Sequence, residues 1–279
     1  MIKYTNCADL HVHTTASDGA YTLDKVALMA RDAGLEIIAV TDHDNVSALE
    51  GEQSVHGVEV VPGVELSAEL EGREVHILGY YLDIANAQLA QTLATLREKR
   101  RDRMKGILEK LSGLNVTIDT ESVTDTDEDA SVGRLHVAEL LINHGYASNV
   151  YEAFRDYLGP YGKAYVPKTR LSVIEAITLV HSAGGAAVLA HPGSFFTIEE
   201  VRTFVEKGLD GVEAYYPAHS PLDTDKWAAL ARENGLVTTA GSDFHGRGNE
   251  TPIGAVRMAR DGVELLHARS KRYGAGRLP

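Results

Sequence analysis

Four segments of this chain repeat one pattern, in which the polar end of a helix passes through glycine into a short apolar run. Glycine just after a helix permits the left-handed backbone conformation that ends it. The run that follows is typical of a strand buried on both faces of a parallel sheet. The repetition therefore predicts an α/β fold in which helices and strands alternate. The segments are RDAGLEIIAVTDHD, HSAGGAAVLAHP, EKGLDGVEAYYP and RENGLVTTAGSDFH.

Three more apolar runs, at residues 8–13, 58–67 and 75–82, bring the predicted strands to about seven. Helical patterns separate several of them, as at 22–33 and 172–183. A chain of 279 residues is of ordinary length for a single α/β barrel. Periodicity alone does not decide between a barrel and an open sheet, and the polar residues at the strand ends, described below, favour the barrel.

The alternation of helices and strands stops between about residues 83 and 168. A long charged helix is predicted at 86–113, followed by an acidic loop rich in serine and threonine at 119–133 and by two shorter helices. We predict a barrel domain formed by residues 1–83 and 168–279. Residues 84–167 are predicted to form a helical insertion that caps the carboxyl face of the barrel.

Composition narrows the class of protein. The formal net charge of -13 argues against a stable nucleic-acid complex, because coating nucleic acid needs a broad basic surface. The single cysteine, Cys7, cannot form an internal disulfide and suits a small buried residue in a reducing compartment. No apolar run approaches the roughly 18 residues that span a membrane, and no signal peptide is evident. We expect a cytoplasmic protein without membrane contact.

Histidines and acids gather at the predicted carboxyl ends of the strands. The stretch CADLHVHTTASDGAY sets His11 and His13 on one face of a strand, because successive side chains alternate. Strand ends of wound α/β folds meet at one face, where ligands bind. A lone histidine is more often a core residue, but burying so many imidazoles and carboxylates together is costly without a cation. The candidate ligands are His11, His13, Asp18, His43, Glu65, His76, His191, Asp243 and His245.

This set of side chains indicates which metals would bind. Imidazole and carboxylate without thiolate are typical of catalytic zinc, manganese or iron sites. Nine candidates exceed what one ion can take, so several divalent ions are expected. Asp9 and Asp42 adjoin candidate ligands and are candidate partners that hold histidine tautomers, although Asp42 could simply cap a turn.

The motifs DLHVHTTASDG, TDHD, GVELS, AVLAHP and GSDFHG, in this order, resemble the PHP (polymerase and histidinol phosphatase) family of metal-dependent phosphoesterases. The resemblance runs from residue 8 to residue 250. It implies a distorted (β/α)7 barrel with three divalent ions, Mn²⁺, Zn²⁺ or Fe²⁺, at the carboxyl face. The implied ligand sets are His11, His13, Glu65 and Asp243; Glu65, His76 and His191; and Asp18, His43 and His245.

Within that family, the segments GRLHVAELLI and YYPAHSP are similar to a small stand-alone branch that hydrolyses nucleotide phosphates. The resemblance implies as substrate a nucleoside 3',5'-bisphosphate, which loses its 3'-phosphate, or a short oligonucleotide. Leu135 stands where that branch usually has proline. Arg134 and His136 are kept at their positions in the motif, and the motif does not fix the shape of this loop.

Paired divalent ions can bind a bridging hydroxide that attacks phosphorus, and they neutralise the phosphoryl oxygens. Arg134 is the predicted catalytic phosphate clamp, because guanidinium forms paired hydrogen bonds with phosphate. His219 is predicted to contact the substrate or to protonate the leaving oxygen. His136 and Lys168 are further candidate substrate contacts. All four residues also fit a structural or solvated role.

Three alternatives remain open. The first is histidinol-phosphate phosphatase, which belongs to the same family. The second is a metal-dependent amidohydrolase, which also has an HxH motif after its first strand but commonly needs a bridging carbamylated lysine. The third is a noncatalytic module that metal ions stabilise, which would predict eroded ligands. None of the nine candidate positions is degenerate here.

Overall fold

A computed structural model describes residues 6–51, 54–118, 134–168, 170–247 and 251–274. The chain divides into two compact units. The first contains Met1–Thr92 and Arg170–Pro279, and the second contains Leu93–Thr169. The predicted acidic loop at 119–133 lies outside the described residues. That the insertion caps the carboxyl face stays a prediction.

Ten strands of the described chain form the sheet of the first unit. They are β1 Asn6–Val12, β2 Ile37–Val40, β3 Ser54–Val55, β4 Val58–Leu70, β5 Arg73–Tyr80, β6 Leu171–Ser172, β7 Ala186–Leu189, β8 Gly211–Tyr215, β9 Val237–Ala240 and β10 Met258–Ala259. Their order in the sheet is β10-β1-β2-β4-β5-β7-β8-β9, with β3 and β6 each paired to β4. The four-residue strands β2, β7 and β9 are the apolar runs that follow the helix-glycine joints.

The sheet curls into a nearly closed barrel. β1 and the segment after β9 meet through a parallel bridge between Val12 and Phe244, and the N–H of His13 donates to the carbonyl of Phe244 at 2.9 Å. The predicted barrel fold is therefore confirmed. One feature departs from strict alternation, because β5 pairs antiparallel with both β4 and β7. A short β4–β5 connection takes the place of a crossover helix there.

Three helices of the first unit begin at side chains that cap the free backbone N–H groups of the first turn. Ser172, Thr197 and Ser220 each form a capping box with the acidic residue three positions on, so that two N–H groups without helical partners are satisfied. At the other end, Gly235 adopts φ 63°, the left-handed conformation that the sequence pattern predicts. The helices are α1 Leu23–Asp32, α5 Val173–Ser182, α6 Ile198–Glu206, α7 Pro221–Asn234 and α8 Arg260–Ser270, with a 3-10 turn at Ser47–Leu49.

Two apolar layers hold the barrel unit. Leu10, Val188 and Leu78 belong to a cluster that includes Leu266 of α8, and a second cluster joins α1 to the first two strands. Cys7 is 4% exposed within the first cluster, as predicted for a small buried residue. Such layers exclude water from the strand backbones.

The second unit is helical. Helix α2, Ala87–Gly113, starts in the first unit and supplies most of its length to the second. Its apolar side chains, among them Ile107 and Leu111, pack with later helices in one buried cluster. The other elements are α3 Arg134–Asn143, α4 Val150–Ala153 and a π-helical turn at Phe154–Leu158.

Among the described residues, none of the helices combines the length and the apolarity that crossing a lipid bilayer requires.

Candidate metal centre

Glu65 is the carboxylate around which five imidazoles gather. Its side chain is 1% exposed. Oε2 lies 3.3 Å from His11 Nε2, 3.2 Å from His13 Nε2 and 3.1 Å from His43 Nδ1. Oε1 lies 2.6 Å from His76 Nδ1 and 3.2 Å from His191 Nε2. Histidines that are distant in sequence therefore converge on one acid.

The long strand β4 and the antiparallel return of β5 place Glu65 and His76. The last pair between β2 and β4 is Val40 with Pro62, so Glu65 lies beyond the end of β2. β5 then runs back along β4, with His76 opposite Ser67. The expectation that Glu65 and His76 mark strand ends is wrong, since both lie inside strands. They still reach the carboxyl edge because β4 extends past it and β5 starts beyond it.

Asp18 is the centre of a second group of ligand atoms. Its Oδ1 lies 3.3 Å from His245 Nε2 and 3.7 Å from His13 Nδ1, and its Oδ2 lies 3.8 Å from His43 Nε2. Asp243 completes the arrangement, with Oδ1 at 3.1 Å from His13 Nε2. His13 and His43 thus face both Glu65 and Asp18.

Three groups of side chains bring their ligand atoms within 4.8 Å of one another. The first equals a set that the sequence resemblance implies. The second adds His13 to another implied set, and the third contains His43 where the implied set has His191. Which ion each residue would hold stays a proposal. The groups are His11, His13, Glu65 and Asp243; His13, Asp18, His43 and His245; and His43, Glu65 and His76.

The hydrogen bonding of the buried polar atoms indicates whether these side chains suit a cation. Among the described residues, several buried ligand atoms of the cluster have no hydrogen-bond partner, and they face one another. Leaving such an atom unsatisfied costs about 1–3 kcal/mol, and ions bound within the ligand groups would satisfy these atoms. The side chains therefore fit divalent metal. The atoms are His11 Nε2, His13 Nε2, Asp18 Oδ1, His43 Nδ1 and Glu65 Oε2.

Burial and charge drive the pKa values of the cluster apart. Burial would lower the pKa of His13, but the adjacent carboxylates of Asp243 and Glu65 outweigh it and raise the pKa to about 10. Burial lowers the pKa of His43 to about 3. Burial would raise the pKa of Glu65, but the neighbouring histidines, His43 foremost, hold it well below its usual range. The carboxylate is therefore ionised, which is the form that binds metal.

The sequence model of the PHP domain family matches residues 9–164, which is more than half of the chain. The chain belongs to the PHP domain family. This finding confirms the family predicted from the motifs.

Relatives with similar length support the same assignment. The PHP protein is 34% identical to the "5'-3' exoribonuclease Rnm" of Escherichia coli, over 87% of this chain and 86% of that protein. It is 33% identical to a "3',5'-nucleoside bisphosphate phosphatase" of Chromobacterium violaceum, over 86% and 87% of the two chains. A crystal structure of a "putative metal-dependent phosphoesterase" from Bifidobacterium adolescentis has 29% identity and a TM-score of 0.87, and the match covers 95% and 96% of the chains. The prediction of a metal-dependent phosphoric ester hydrolase is confirmed at this level.

Glu213 is a residue of the PHP protein's site that the sequence analysis missed. It is fully buried on β8. Its Oε1 accepts a hydrogen bond from His11 Nδ1 at 3.0 Å, and its Oε2 accepts from the backbone N–H of His191 at 2.8 Å. Glu213 therefore leaves His11 Nε2 to face the cluster. One acid inside the apolar run GVEAY was the available signal.

Asp9 and Asp42 accept hydrogen bonds from loop residues and not from imidazole rings, so the predicted role is wrong for Asp9, while Asp42 has the alternative role of capping a turn. Asp9 accepts hydrogen bonds from Ser242 N–H at 2.9 Å, Ser242 Oγ at 2.6 Å and Gly254 N–H at 2.7 Å. Asp42 accepts from Thr14 N–H at 2.8 Å, from Thr14 Oγ1 at 2.6 Å and from Ser17 Oγ. Both acids are buried and fix the loops that carry ligands, because those loops offer closer donors than the rings do.

Two candidate ligands adopt strained backbone. His191 has φ 25° and Asp243 has φ 55°, in the left-handed region that residues with a Cβ rarely adopt. The hydroxyl of Tyr216 donates to Asp243 Oδ2 at 3.0 Å. Strain of this kind persists where surrounding contacts over-determine it, and it concentrates at functional sites.

His219 lies in the loop after β8, and its ring is bonded on both sides. The N–H of Gly193 donates to Nε2 at 3.0 Å, and Nδ1 lies 2.9 Å from the carbonyl of Ala214. The neutral tautomer with its proton on Nδ1 satisfies both contacts. The tilted ring of Tyr216 links His219 to His191.

Arg134, His136 and Lys168 all belong to the second unit. Arg134 begins α3, where its Nη1 lies 3.4 Å from the carbonyl of Leu158 and its guanidinium lies 5.1 Å from the ring centre of Phe154. His136 is in the first turn of the same helix. Their predicted roles in substrate binding stay predictions.

Proposed function

We propose that this PHP protein is a phosphatase that removes the 3'-phosphate of nucleoside 3',5'-bisphosphates, with short oligonucleotides as a second substrate class. The observation that carries the proposal is the convergence of seven imidazole and carboxylate side chains around Glu65 and Asp18. The relative from Chromobacterium violaceum, whose name states this activity, supports the choice of substrate.

The charge of the site explains why metal would be needed for a phosphate substrate. Neighbouring histidines hold the pKa of Asp18, Glu65 and Asp243 well below the usual range, so all three carboxylates are ionised. Once the imidazoles are neutral, as metal ligation requires, this group of negative charges would repel a phosphate dianion. Bound divalent ions, three in our proposal, would neutralise the phosphoryl oxygens and activate water for attack at neutral pH. Mn²⁺, Zn²⁺ and Fe²⁺ all suit the donors.

The protein's own groups then have distinct duties in this proposal. Glu213 orients His11, Tyr216 orients Asp243, and Asp42 fixes the loop that bears Asp18. Holding ligands in one geometry lowers the cost of reorganising them when substrate binds.

The proposed role of His219 is proton transfer to the leaving oxygen. Nε2 accepts from the N–H of Gly193, so it must first take up a proton and give up that bond. Arg134, His136 and Lys168 are the proposed contacts to the substrate phosphates. A guanidinium and an ammonium keep their charge at neutral pH, which suits a substrate with two phosphates.

The test is phosphate release from a panel of substrates by protein loaded with manganese. Adenosine 3',5'-bisphosphate should be hydrolysed faster than 3'-AMP, 5'-AMP or histidinol phosphate. Asp243→Asn should reduce the rate on the order of a hundredfold, because it removes a charge but keeps the shape and tolerates the left-handed backbone. His56→Asn is the matched control. His56 also has positive φ, and it pairs with Asp24 away from the cluster.

Exoribonuclease activity is the second candidate, because the Escherichia coli relative is named for it. A 5'-phosphorylated oligoribonucleotide separates the two candidates. Stepwise shortening at a rate above that of bisphosphate hydrolysis would favour the exoribonuclease. Preference for histidinol phosphate would instead indicate a histidinol-phosphate phosphatase. Equal rates on all nucleotides would contradict the proposed preference.

A further inference from the structure

Phe195 is an exposed aromatic residue in the loop after β7, four positions beyond His191. Its side chain is 79% exposed. The adjacent Phe196 is 7% exposed and meets Phe204 edge-on, with ring centres 6.3 Å apart. The core therefore takes one of two neighbouring rings and leaves the other in solvent. Because single exposed apolar side chains are common, the surroundings of Phe195 must decide whether it has a function.

The backbone that carries Phe195 is held on both sides of the ring. The N–H of Phe195 donates to the carbonyl of Pro192 at 3.2 Å, and its carbonyl accepts from Arg73 Nη1 at 3.0 Å. Arg73 also pairs with Glu200 at the start of α6. The loop is thus tied to β5 and to α6. A ring on a fixed loop has little freedom left to lose when a ligand binds to it.

Ring contacts lead from the candidate metal centre to His219, and Gly193 lies between His219 and Phe195. His191 and Tyr216 have ring centres 5.2 Å apart, and Tyr216 and His219 have centres 5.3 Å apart. A Cβ added at Gly193 would lie 3.9 Å from His219 Cδ2 and 3.7 Å from Phe195 Cδ2. Because four residues span at most about 14 Å, Phe195 lies within that distance of His191.

Gly193 places no side chain between Phe195 and His219. The residue has φ 48°, a conformation that disfavours any side chain at this position, and it contributes none. Its N–H and carbonyl are bonded to His219 Nε2 and to Trp227 Nε1, at 3.0 and 2.8 Å. No side chain from this position therefore covers Phe195, whose side chain stays exposed.

We propose that Phe195 is the stacking platform for the nucleobase of the substrate, whose phosphate lies at the candidate metal centre. The proposal rests on the proposed nucleotide phosphatase function. Every base has a π face, so stacking on a phenyl ring accepts all four bases and favours the larger purines. The ring has no hydrogen-bonding group that could read base identity. Selectivity at this position is therefore for the presence of a base.

Steady-state kinetics on two substrates test this role. Adenosine 3',5'-bisphosphate has the base, and ribose 3,5-bisphosphate lacks it but keeps both phosphates. Phe195→Ala should raise KM for the nucleotide about tenfold and leave kcat and the ribose substrate unchanged, because stacking on one aromatic ring is worth about that factor. Phe195→Trp, which keeps an aromatic ring, should leave the KM for the nucleotide near that of the unsubstituted protein. Leu265→Ala, which truncates another exposed apolar side chain on α8, is the matched control.

A binding measurement separates this proposal from the proposed function. Calorimetric titration should show that 5'-AMP binds more tightly than ribose 5-phosphate and that Phe195→Ala removes the difference. Equal binding of the two ligands by the unsubstituted protein, or an unchanged difference in Phe195→Ala, overturns the stacking role even if the bisphosphate is hydrolysed. Loss of the difference with no turnover of any nucleotide upholds the stacking role and overturns the phosphatase assignment.

Discussion

Glu213 Oε1 and His11 Nδ1 lie 3.0 Å apart, and both side chains are fully buried. This bond joins β8 to β1 across the barrel and turns the other nitrogen of His11 toward Glu65. Carboxylate partners of this kind fix the tautomer of a metal-binding histidine. Glu213 therefore sets which nitrogen of His11 is available to the candidate centre.

Glu213→Gln should weaken metal binding by about 10–100-fold, because an amide can hydrogen bond His11 but no longer increases its basicity. Metal competition titrations with a coloured chelator measure the change. The matched control is Asp210→Asn, which alters another buried acid–histidine pair, Asp210 with His181 at 2.9 Å. Equal metal affinity in the two variants would contradict the role assigned to Glu213.

Removal of metal should abolish phosphoesterase activity and lower the melting temperature, since unsatisfied atoms such as His13 Nε2 and Glu65 Oε2 would lose their common partner. Chelation followed by addition of Mn²⁺, Zn²⁺ or Fe²⁺ in turn, with activity and thermal unfolding recorded at each step, identifies the ion that restores both. Recovery of thermal stability without turnover of any phosphoester would favour the noncatalytic module.

Metal uptake should release protons near neutral pH. The pKa of His13 is raised to about 10, so the ring is protonated at pH 7.5 before metal binds, while a metal ligand must be neutral imidazole. The observed binding enthalpy should therefore vary with the ionisation enthalpy of the buffer. Acidification should weaken binding, because protons then compete more strongly for the same nitrogen. A heat that is the same in PIPES and Tris buffers contradicts this prediction.

Asp42→Asn should lower the free energy of unfolding by about 1–3 kcal/mol, because the buried amide cannot accept all the bonds from Thr14 and Ser17. It should also loosen the loop that carries Asp18. Urea denaturation and metal content report the two effects separately. Asp32→Asn, at an exposed acid beside Arg31, should change neither. If Asp42→Asn leaves stability unchanged, the loop is held by other contacts.

Local sequence patterns were sufficient to predict most of the barrel. The joints at Gly34 and Gly235 lead into β2 and β9, because the left-handed glycine and the buried apolar run are both local properties. The antiparallel course of β5 was not predicted, since an apolar run carries no mark of its direction. That direction is set by the short connection from β4 and by pairing with β7.

The candidate site divides in the same way. The motifs at strand ends identify His11, His13 and Asp243 as candidate ligands. Because such strand ends lie at one face of the fold, the sequence also predicts that these side chains meet. Glu213 differs, because a single acid in an apolar strand has no motif around it. Its role depends on which strand lies opposite β1, and His219 likewise shows its bond to Gly193 only in the folded loop.

The sequence by itself determined the alternation of helices and strands, the inventory of imidazole and carboxylate side chains, and the family, because these follow from neighbouring residues. Only the tertiary structure decided which atoms face one another: that Glu65 takes five histidines, that Asp9 and Asp42 fix loops instead of rings, and that Phe195 stays in solvent. The physical reason is that hydrogen bonding and burial depend on distances between segments far apart in the chain, which no local pattern records.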